Sequence, residues 1–424
     1  MAPRVDIFPL DAMDSGLVQS VTLLLVAILV AVAARRVNLP YTVGLVIAGV
    51  VMAATHLGSG EMLTHDFIFD VILPPLLFEA AISLHWDELK RDALPVTVLS
   101  IFGVIIAAIV VGFGMMWLLH WPVVSAALFG VLIAATDPVA VIALFKDTGV
   151  KGRLRLLVES ESLFNDGVAA VLFGLVLSWV ERAPGQGLGV ADIAKDLLIT
   201  AGGGTLIGAL AGGVAIVIAG RTKDHLVETA VTTVAAYGSF LLAQHFGTSG
   251  VLAVVTAGLI MGNVGVMAEH GRNRLSAQGR AFVVAFWEFA AFVANSLVFL
   301  LIGLKIGAMP ILNQGLAALI VAIGLVQVGR VLTVYPLCLL FARSATMISL
   351  RQQHILVWGG LRGALALALA LALPGGLPLH NEILVATFSV VAFSVVVQGV
   401  TMPALMRALD FLPRRSRQTR ESPP

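Results

Sequence analysis

The sequence predicts an all-α polytopic membrane protein of about thirteen transmembrane helices, on three observations. Of its 424 residues, 59% are hydrophobic and only 12% charged, with a mean hydropathy of +0.99. Soluble domains carry about 25% charged residues. Apolar segments long enough to cross a hydrocarbon core of about 30 Å, roughly 20 residues each, recur along the whole chain. Lysine and arginine are sorted between alternate loops. A soluble enzyme is thereby excluded, and nucleic-acid binding has no support, because the basic residues sit in short loops between apolar stretches. The single Cys338 lies in an apolar run and leaves neither a disulfide framework nor a cysteine metal site.

Taken in order, the spans fall near 16–34, 40–57, 66–84, 94–119, 123–145, 154–179, 197–219, 226–245, 250–264, 281–304, 311–341, 352–373 and 382–405. The ninth is short and the eleventh long. An odd count puts the termini on opposite sides, and the positive-inside rule tests it. Loops on the C-terminal side hold Arg35, Arg36, Lys90, Arg91, Lys146, Lys151, Arg153, Arg155, Arg221, Lys223, Arg272, Arg274, Arg280, Arg343 and Arg351. Arg407, Arg414, Arg415, Arg417 and Arg420 follow in the tail. The opposite loops hold only Arg4, Arg182, Lys195 and Lys305, while Arg330 and Arg362 fall inside spans. The expected layout is one transporter domain over residues 1–424 in the cell (plasma or inner) membrane. An extracytoplasmic N-terminus, 1–15, precedes the spans over 16–405, and a short basic cytoplasmic tail, 406–424, lies close to the inner lipid surface. The acidic N-terminus lacks the basic region of a cleaved signal peptide, so the first span is expected to remain.

Ionisable residues at membrane depth are expensive and mark function. At 1.5 Å rise per residue, Glu79 of span 3 lies about 9 Å, Asp137 of span 5 about 12 Å, Arg362 of span 12 about 11–15 Å and Asp166 of span 6 about 18 Å from the cytoplasmic ends. Three acids on different helices, with few cations to match them, favour a cation or proton site. In span 5, Pro138 removes one N–H, cannot bond the carbonyl of Ala134 and pushes Asp137 towards an extended conformation, so the helix should break at Thr136–Asp137. In span 6, the i, i+4 relation stacks Ser162 with Asp166 and Glu161 with Asn165. The first pair suits a cation site of hard oxygens, the second contacts with neighbouring helices. In span 12, Gly359, Gly360 and Gly363 weaken the helix around Arg362. Spans 1–6 and 8–13 would then form two inverted six-helix repeats, each interrupted in its fifth helix, the arrangement of transporters that bind at the midplane.

The motifs LLFEA with Glu79, ATDPVAV with Asp137, ESESLFNDG with Glu161, Ser162, Asn165 and Asp166, and GGLRGALALAL with Arg362 resemble the cation:proton antiporter family 1, the sodium/proton exchangers of the NhaP type. The resemblance runs from span 1 to span 13. It implies crossed discontinuous helices in spans 5 and 12, a homodimer, and an elevator-like exchange of Na⁺, Li⁺ or sometimes K⁺ for H⁺. It makes Asp166 the shared cation and proton carrier, assisted by Ser162, Glu79 and the main-chain carbonyl of Thr136. Asn165 and Asp137 would stabilise the crossed half-helices, and Glu161 would pair with Arg362. No enzymatic activity, resident metal or other cofactor is implied. The chain lacks the long regulatory tail of animal exchangers, so regulation through one is not expected.

One carboxylate alternating between one H⁺ and one Na⁺ returns with the charge it left with, so electroneutral one-for-one exchange is expected. The sequence carries Asn165–Asp166 where electrogenic relatives carry two aspartates. A cation channel or uniporter through the same acidic cavity is the alternative, but nothing in the sequence reads as a continuous filter. Glu228, Glu288 and Arg330 are read as packing or interface residues, Asp70 as a vestibule residue, and His56, His65, His85 and His120 as interfacial. Gly247-Thr248-Ser249-Gly250 matches a rhomboid-protease serine motif but lies in an outer loop without an evident base. Gly202, Gly203, Gly204, Gly208 and Gly212 follow small-xxx-small spacing for close helix packing.

Overall fold

The computed structural model describes residues 15–37, 39–55, 64–181, 189–267, 275–309 and 315–412. The N-terminal 1–14, His56, Arg182, Arg272, Arg274 and residues 413–424 of the basic tail lie outside the described residues. Among those described, all regular elements are helical. In chain order they are α1 (Ser15–Val37), α2 (Tyr41–Ala54), α3 (Leu73–Ser83), α4 (Trp86–Arg91), α5 (Ala93–Leu119), α6 (Val123–Leu132), α7 (Val139–Thr148), α8 (Arg153–Glu181) and α9 (Val190–Leu197). They continue with α10 (Gly203–Ala219), α11 (His225–His245), α12 (Gly250–Ile260), α13 (Ala277–Ala308), α14 (Leu316–Leu339), α15 (Leu350–Gly359), α16 (Ala364–Leu371), α17 (His380–Phe393) and α18 (Gly399–Ala408). Seven helices among the described residues are long and apolar enough to cross a membrane, and Val21–Ala34, Tyr41–Ala54, Val123–Leu132 and Gly250–Val266 are shorter apolar ones.

The helices start earlier than apolar counting predicts where a polar residue begins them. Gly189 N donates to the Asp192 carboxylate and opens α9, which runs on into α10, so the seventh segment starts well before residue 197. Ser276 accepts from Gly279 N and opens α13 four residues ahead of the expected 281. Ser249 caps α12, which begins at the expected residue 250, by accepting from Leu252 N, and this gives the Gly247–Gly250 motif a capping role.

Among the described residues, four π-helical turns interrupt the long helices, at Phe67–Ile72, Leu198–Gly202, Met261–Val266 and Ser394–Gln398. Two of them aim polar side chains at the ends of neighbouring helices. Asn263 donates to Leu84 O and accepts from Trp86 N, closing the gap between α3 and α4. Ser394 and Gln398 do the equivalent at the break between α15 and α16, as described below.

Without a solvent-driven hydrophobic force between them, membrane helices associate by close van der Waals approach. The glycine stripe of α10 shows it: a Cβ at Gly208 would lie 2.2 Å from Ala253 O, and one at Gly204 2.4 Å from Ser249 O, both along α12. Gly202 and Gly203 do not share this face; Gly203 meets Thr248 instead. Gly208→Leu is therefore expected to separate α10 from α12 and lower stability by about 1–3 kcal/mol. Gly213→Leu, which meets nothing within 4 Å, should be nearly silent. Thermal unfolding of both variants in detergent checks this pair, and equal losses would remove the packing argument.

Candidate functional site

Two helix breaks meet at one point. α6 stops at Leu132 and α7 resumes at Val139, so the interruption expected at Thr136–Asp137 covers residues 133–138. α15 ends at Gly359 and α16 begins at Ala364. The interrupted strands of chain touch through Asp137 N, which donates to Leu361 O at 2.8 Å, an isolated antiparallel bridge. Gly363 is dictated by this crossing, because a Cβ there would fall 1.6 Å from Asp137 Oδ2.

Each break leaves a C-terminal half-helix end with unmet carbonyls and an N-terminal end with unmet N–H groups. The Asp137 carboxylate serves both N-terminal ends: Oδ1 accepts from Val139 N at 2.9 Å on α7, and the same carboxylate is bonded by the backbone of Ala364 on α16. Arg362 serves the C-terminal end of α6, its Nη1 donating to Ala134 O at 3.1 Å and Ala135 O at 2.9 Å. Arg330 of α14 serves the C-terminal end of α15, donating from Nε and Nη2 to Leu356 O at 3.2 and 3.0 Å. The π-helical turn after α17 completes the second break, with Ser394 Oγ accepting from Arg362 N at 3.0 Å and Gln398 donating to Trp358 O at 3.0 Å.

The expected Glu161–Arg362 pair is corrected. Glu161 accepts two bonds from Arg330, Nη1 to Oε1 at 2.8 Å and Nη2 to Oε2 at 2.9 Å. The reason is physical: the Arg362 guanidinium is taken by the two free carbonyls of α6, and Arg330 stands across from α8. Both pair members are buried, Arg330 at 6% and Glu161 at 3% exposure. Arg330 is thus part of the site rather than a packing residue. Asn165 extends the network, donating to Glu161 Oε1 at 3.2 Å and to Thr136 Oγ1 at 2.5 Å and accepting from Thr136 N at 3.2 Å. Ser162 Oγ donates to Thr136 O.

Beside the crossing lies a cavity of about 260 Å³ whose lining includes Glu79, Thr136, Asp137, Ser162 and Asp166. Glu161, Asn165 and Arg362 stand behind it. The structure therefore brings the expected residues together in two groups: a cavity wall and a scaffold. It adds residues that the sequence reading overlooked. Tyr41 and Asn295 line the cavity from α2 and α13, and no sequence signal marks either. Glu159 also lines it and pairs with Arg155 at 3.1 Å; its spacing of three from Ser162 and seven from Asp166 was the available signal. Lys146, counted as a loop cation, lies in the last turn of α7 and reaches the cavity, with its Nζ 3.5 Å from Glu79 and 3.2 Å from Glu288.

Other marked residues fall outside this group. Glu228 is fully buried and accepts from Ser276 N and Oγ, both at 2.9 Å, fastening α11 to the start of α13. Asp70 accepts from Gln244 at 3.2 Å. His65 Nδ1 lies 2.9 Å from Ala368 O, which ties it to α16 rather than leaving it as a purely interfacial ring.

A family model described as sodium/hydrogen exchanger, transmembrane, matches residues 21–408. The chain is 38% identical over 382 residues to the Na⁺/H⁺ antiporter ApNhaP of Aphanothece halophytica, across 90% of this chain and 72% of that protein. It is 34% identical over 409 residues to the Na⁺/H⁺ antiporter NhaH of Halobacillus aidingensis, across 92% and 97%. Its fold is similar to that of the sodium proton antiporter MjNhaP1 from Methanocaldococcus jannaschii, with a TM-score of 0.76 at 21% identity over 93% of this chain and 99% of that one. These findings agree with a membrane-embedded, multi-pass protein.

Removing one member of the Glu161–Arg330 pair strands a buried charge, at a cost of about 3–5 kcal/mol. Glu161→Ala and Arg330→Ala should each lower the melting temperature, and the double variant should lose less than their sum. The same cycle between Glu161 and Arg362 should give the smaller coupling. Thermal unfolding of the six proteins tests it, and a larger coupling to Arg362 would overturn the pairing.

Proposed function

The chain belongs to the sodium/hydrogen exchanger family, and we propose that it is a secondary-active antiporter exchanging Na⁺, or Li⁺ or K⁺, for H⁺ across the cell membrane. The observation that carries this reading is the placing of Asp166 and Ser162 in one cavity with Glu79 and Thr136, at the crossing of two broken helices. The relatives named as antiporters favour exchange over the channel alternative.

In this mechanism Asp166 holds either a proton or a cation, never both, and that competition couples the two fluxes. Ser162, Glu79 and the Thr136 carbonyl complete the cation's oxygen shell. A hydroxyl has two acceptor lone pairs besides its proton, so Ser162 can keep its bond to Thr136 O while facing a cation. Asp137, Asn165, Glu161, Arg362 and Arg330 hold the crossing in shape. Thirteen spans in two inverted repeats, a homodimer in the lipid bilayer, an outside N-terminus and a cytoplasmic C-terminus complete the proposal. It needs no enzymatic step and no cofactor.

Asp166→Asn should remain folded yet reduce Na⁺-driven proton movement in proteoliposomes to the level of empty vesicles. Exchange at the wild-type rate in this variant would sink the mechanism.

Electroneutrality is tested separately. With one carboxylate alternating between one H⁺ and one Na⁺, the Na⁺-to-H⁺ equilibrium should be the same at zero voltage and under a large K⁺/valinomycin potential. A balance point that moves with voltage would reject one-for-one exchange and point to Glu79 as a second proton carrier.

A further inference from the structure

The cavity lining contains five carboxylates, Glu79, Asp137, Glu159, Asp166 and Glu288, but one basic side chain, Lys146. Four of the acids already have partners: Asp137 in the two helix N-termini, Glu159 in Arg155, and Glu79 and Glu288 sharing the Lys146 ammonium. Val139, Ile142, Ala143 and Lys146 all line the cavity, so one face of α7 leads from Asp137 to the lysine. Nine residues at 1.5 Å rise place Lys146 about 13 Å along the helix from Asp137. Side-chain exposure rises from 21% at Glu79 to 42% at Lys146 and 54% at Glu288, which makes this trio the more open end of the cavity.

An ammonium and an alkali cation present the same charge to a carboxylate. Lys146, however, is delivered by α7 and does not depend on the salt concentration of the medium, so it acts at a fixed effective concentration. A cation approaching Glu79 must displace it, and Glu288 receives the displaced ammonium without exposing it unpaired.

We propose that Lys146 is a tethered competitor for the transported cation at Glu79, with Glu288 as its resting partner, and that this trio sets the cation concentration at which the cavity fills. The inference rests on the exchange reading above and adds a residue that governs apparent affinity. Lys146 is a positioning residue here, acting on the cation through Glu79.

The test measures binding and transport side by side on the full chain. Binding is read as the Na⁺ concentration giving half of the thermal stabilisation in detergent, since a ligand bound only to the folded state raises its stability, with choline holding ionic strength constant. K146M should lower that half-point by about three- to fivefold, the weight of a partly exposed ion pair. K146R should stay near wild type, and E288Q, which leaves the ammonium to Glu79 alone, should raise the half-point. A purely structural lysine would instead change the sodium-free melting temperature and leave the half-points together. An unchanged or raised half-point in K146M overturns the proposal. If K146M does not fold, E288Q decides alone, and a half-point unchanged or lowered there overturns it. Proteoliposomes then separate the two readings. Wild-type binding without Na⁺-driven proton movement overturns exchange and leaves the competitor role standing, whereas exchange with an unmoved K146M half-point does the reverse. A wild type that neither binds nor transports overturns both.

Discussion

Four half-helix ends meet in the interior of a protein built to sit in lipid, and the rest of the site depends on satisfying them. A buried backbone group left unpaired costs about 1–3 kcal/mol, and a hydrocarbon core offers no water to take its place. The solution uses opposite charges on opposite ends: one aspartate for the two N-terminal ends, and one arginine for each C-terminal end. This follows the polarity of the peptide dipole, which favours an anion at a helix start and a cation at its finish. The prolines and glycines that break the helices are therefore inseparable from the charges that tolerate the break. Pro138 frees the Ala134 carbonyl that Arg362 then occupies, and Gly363 makes the room that Asp137 fills.

Much of this was written in the sequence. An Asp before a proline in an apolar run has few bland explanations, and a Gly-Gly-Leu-Arg-Gly string in another such run marks the matching break. The i, i+4 rule pairs Ser162 with Asp166 and Glu161 with Asn165, and the first pair lines the cavity while the second bonds to Arg330 and Thr136 behind it. What one chain's periodicity does not carry is which helix stands opposite which. Arg330 and Arg362 are both lone arginines in apolar spans, and local sequence gives no way to choose between them as the partner of Glu161. The choice is made by competition among acceptors: Arg362 emerges from the break itself and meets the carbonyls of α6, leaving the carboxylate to α14. The place of Lys146 is hidden from the sequence for a related reason. Hydropathy ends a span at the first charge, whereas α7 continues through Thr148 and carries its lysine back to the cavity.

The π-helical turn at Ser394–Gln398 shows that the breaks are supported from further off. An inserted residue rotates the helix face locally, and such turns gather at functional sites. Here the rotation sets Ser394 against the N–H of Arg362 and Gln398 against the carbonyl of Trp358, two groups on either side of the second break. Gln398 is fully buried, so its place is fixed by packing rather than by solvent. The last helix thus acts as a brace for an interruption some 35 residues earlier in the chain.

Counting charges shows why the scaffold leaves one residue over. Asp137, Glu161, Arg330 and Arg362 form a set of two anions and two cations whose members all have hydrogen-bonded partners. Glu159 has Arg155, and Glu79 shares Lys146 with Glu288. Asp166 lines the same cavity outside these hydrogen-bonded pairs, and it feels the charge of Arg362, whose guanidinium is bonded to the carbonyls of α6. An ionised carboxylate away from bulk water favours gaining a cation or a proton. Either neutralises it by one unit, and holding both would leave the group positively charged. The crossing is thus closed by three charges at the helix ends, Asp137, Arg362 and Arg330, with Glu161 neutralising Arg330, and Asp166 stands on the cavity wall outside that scaffold.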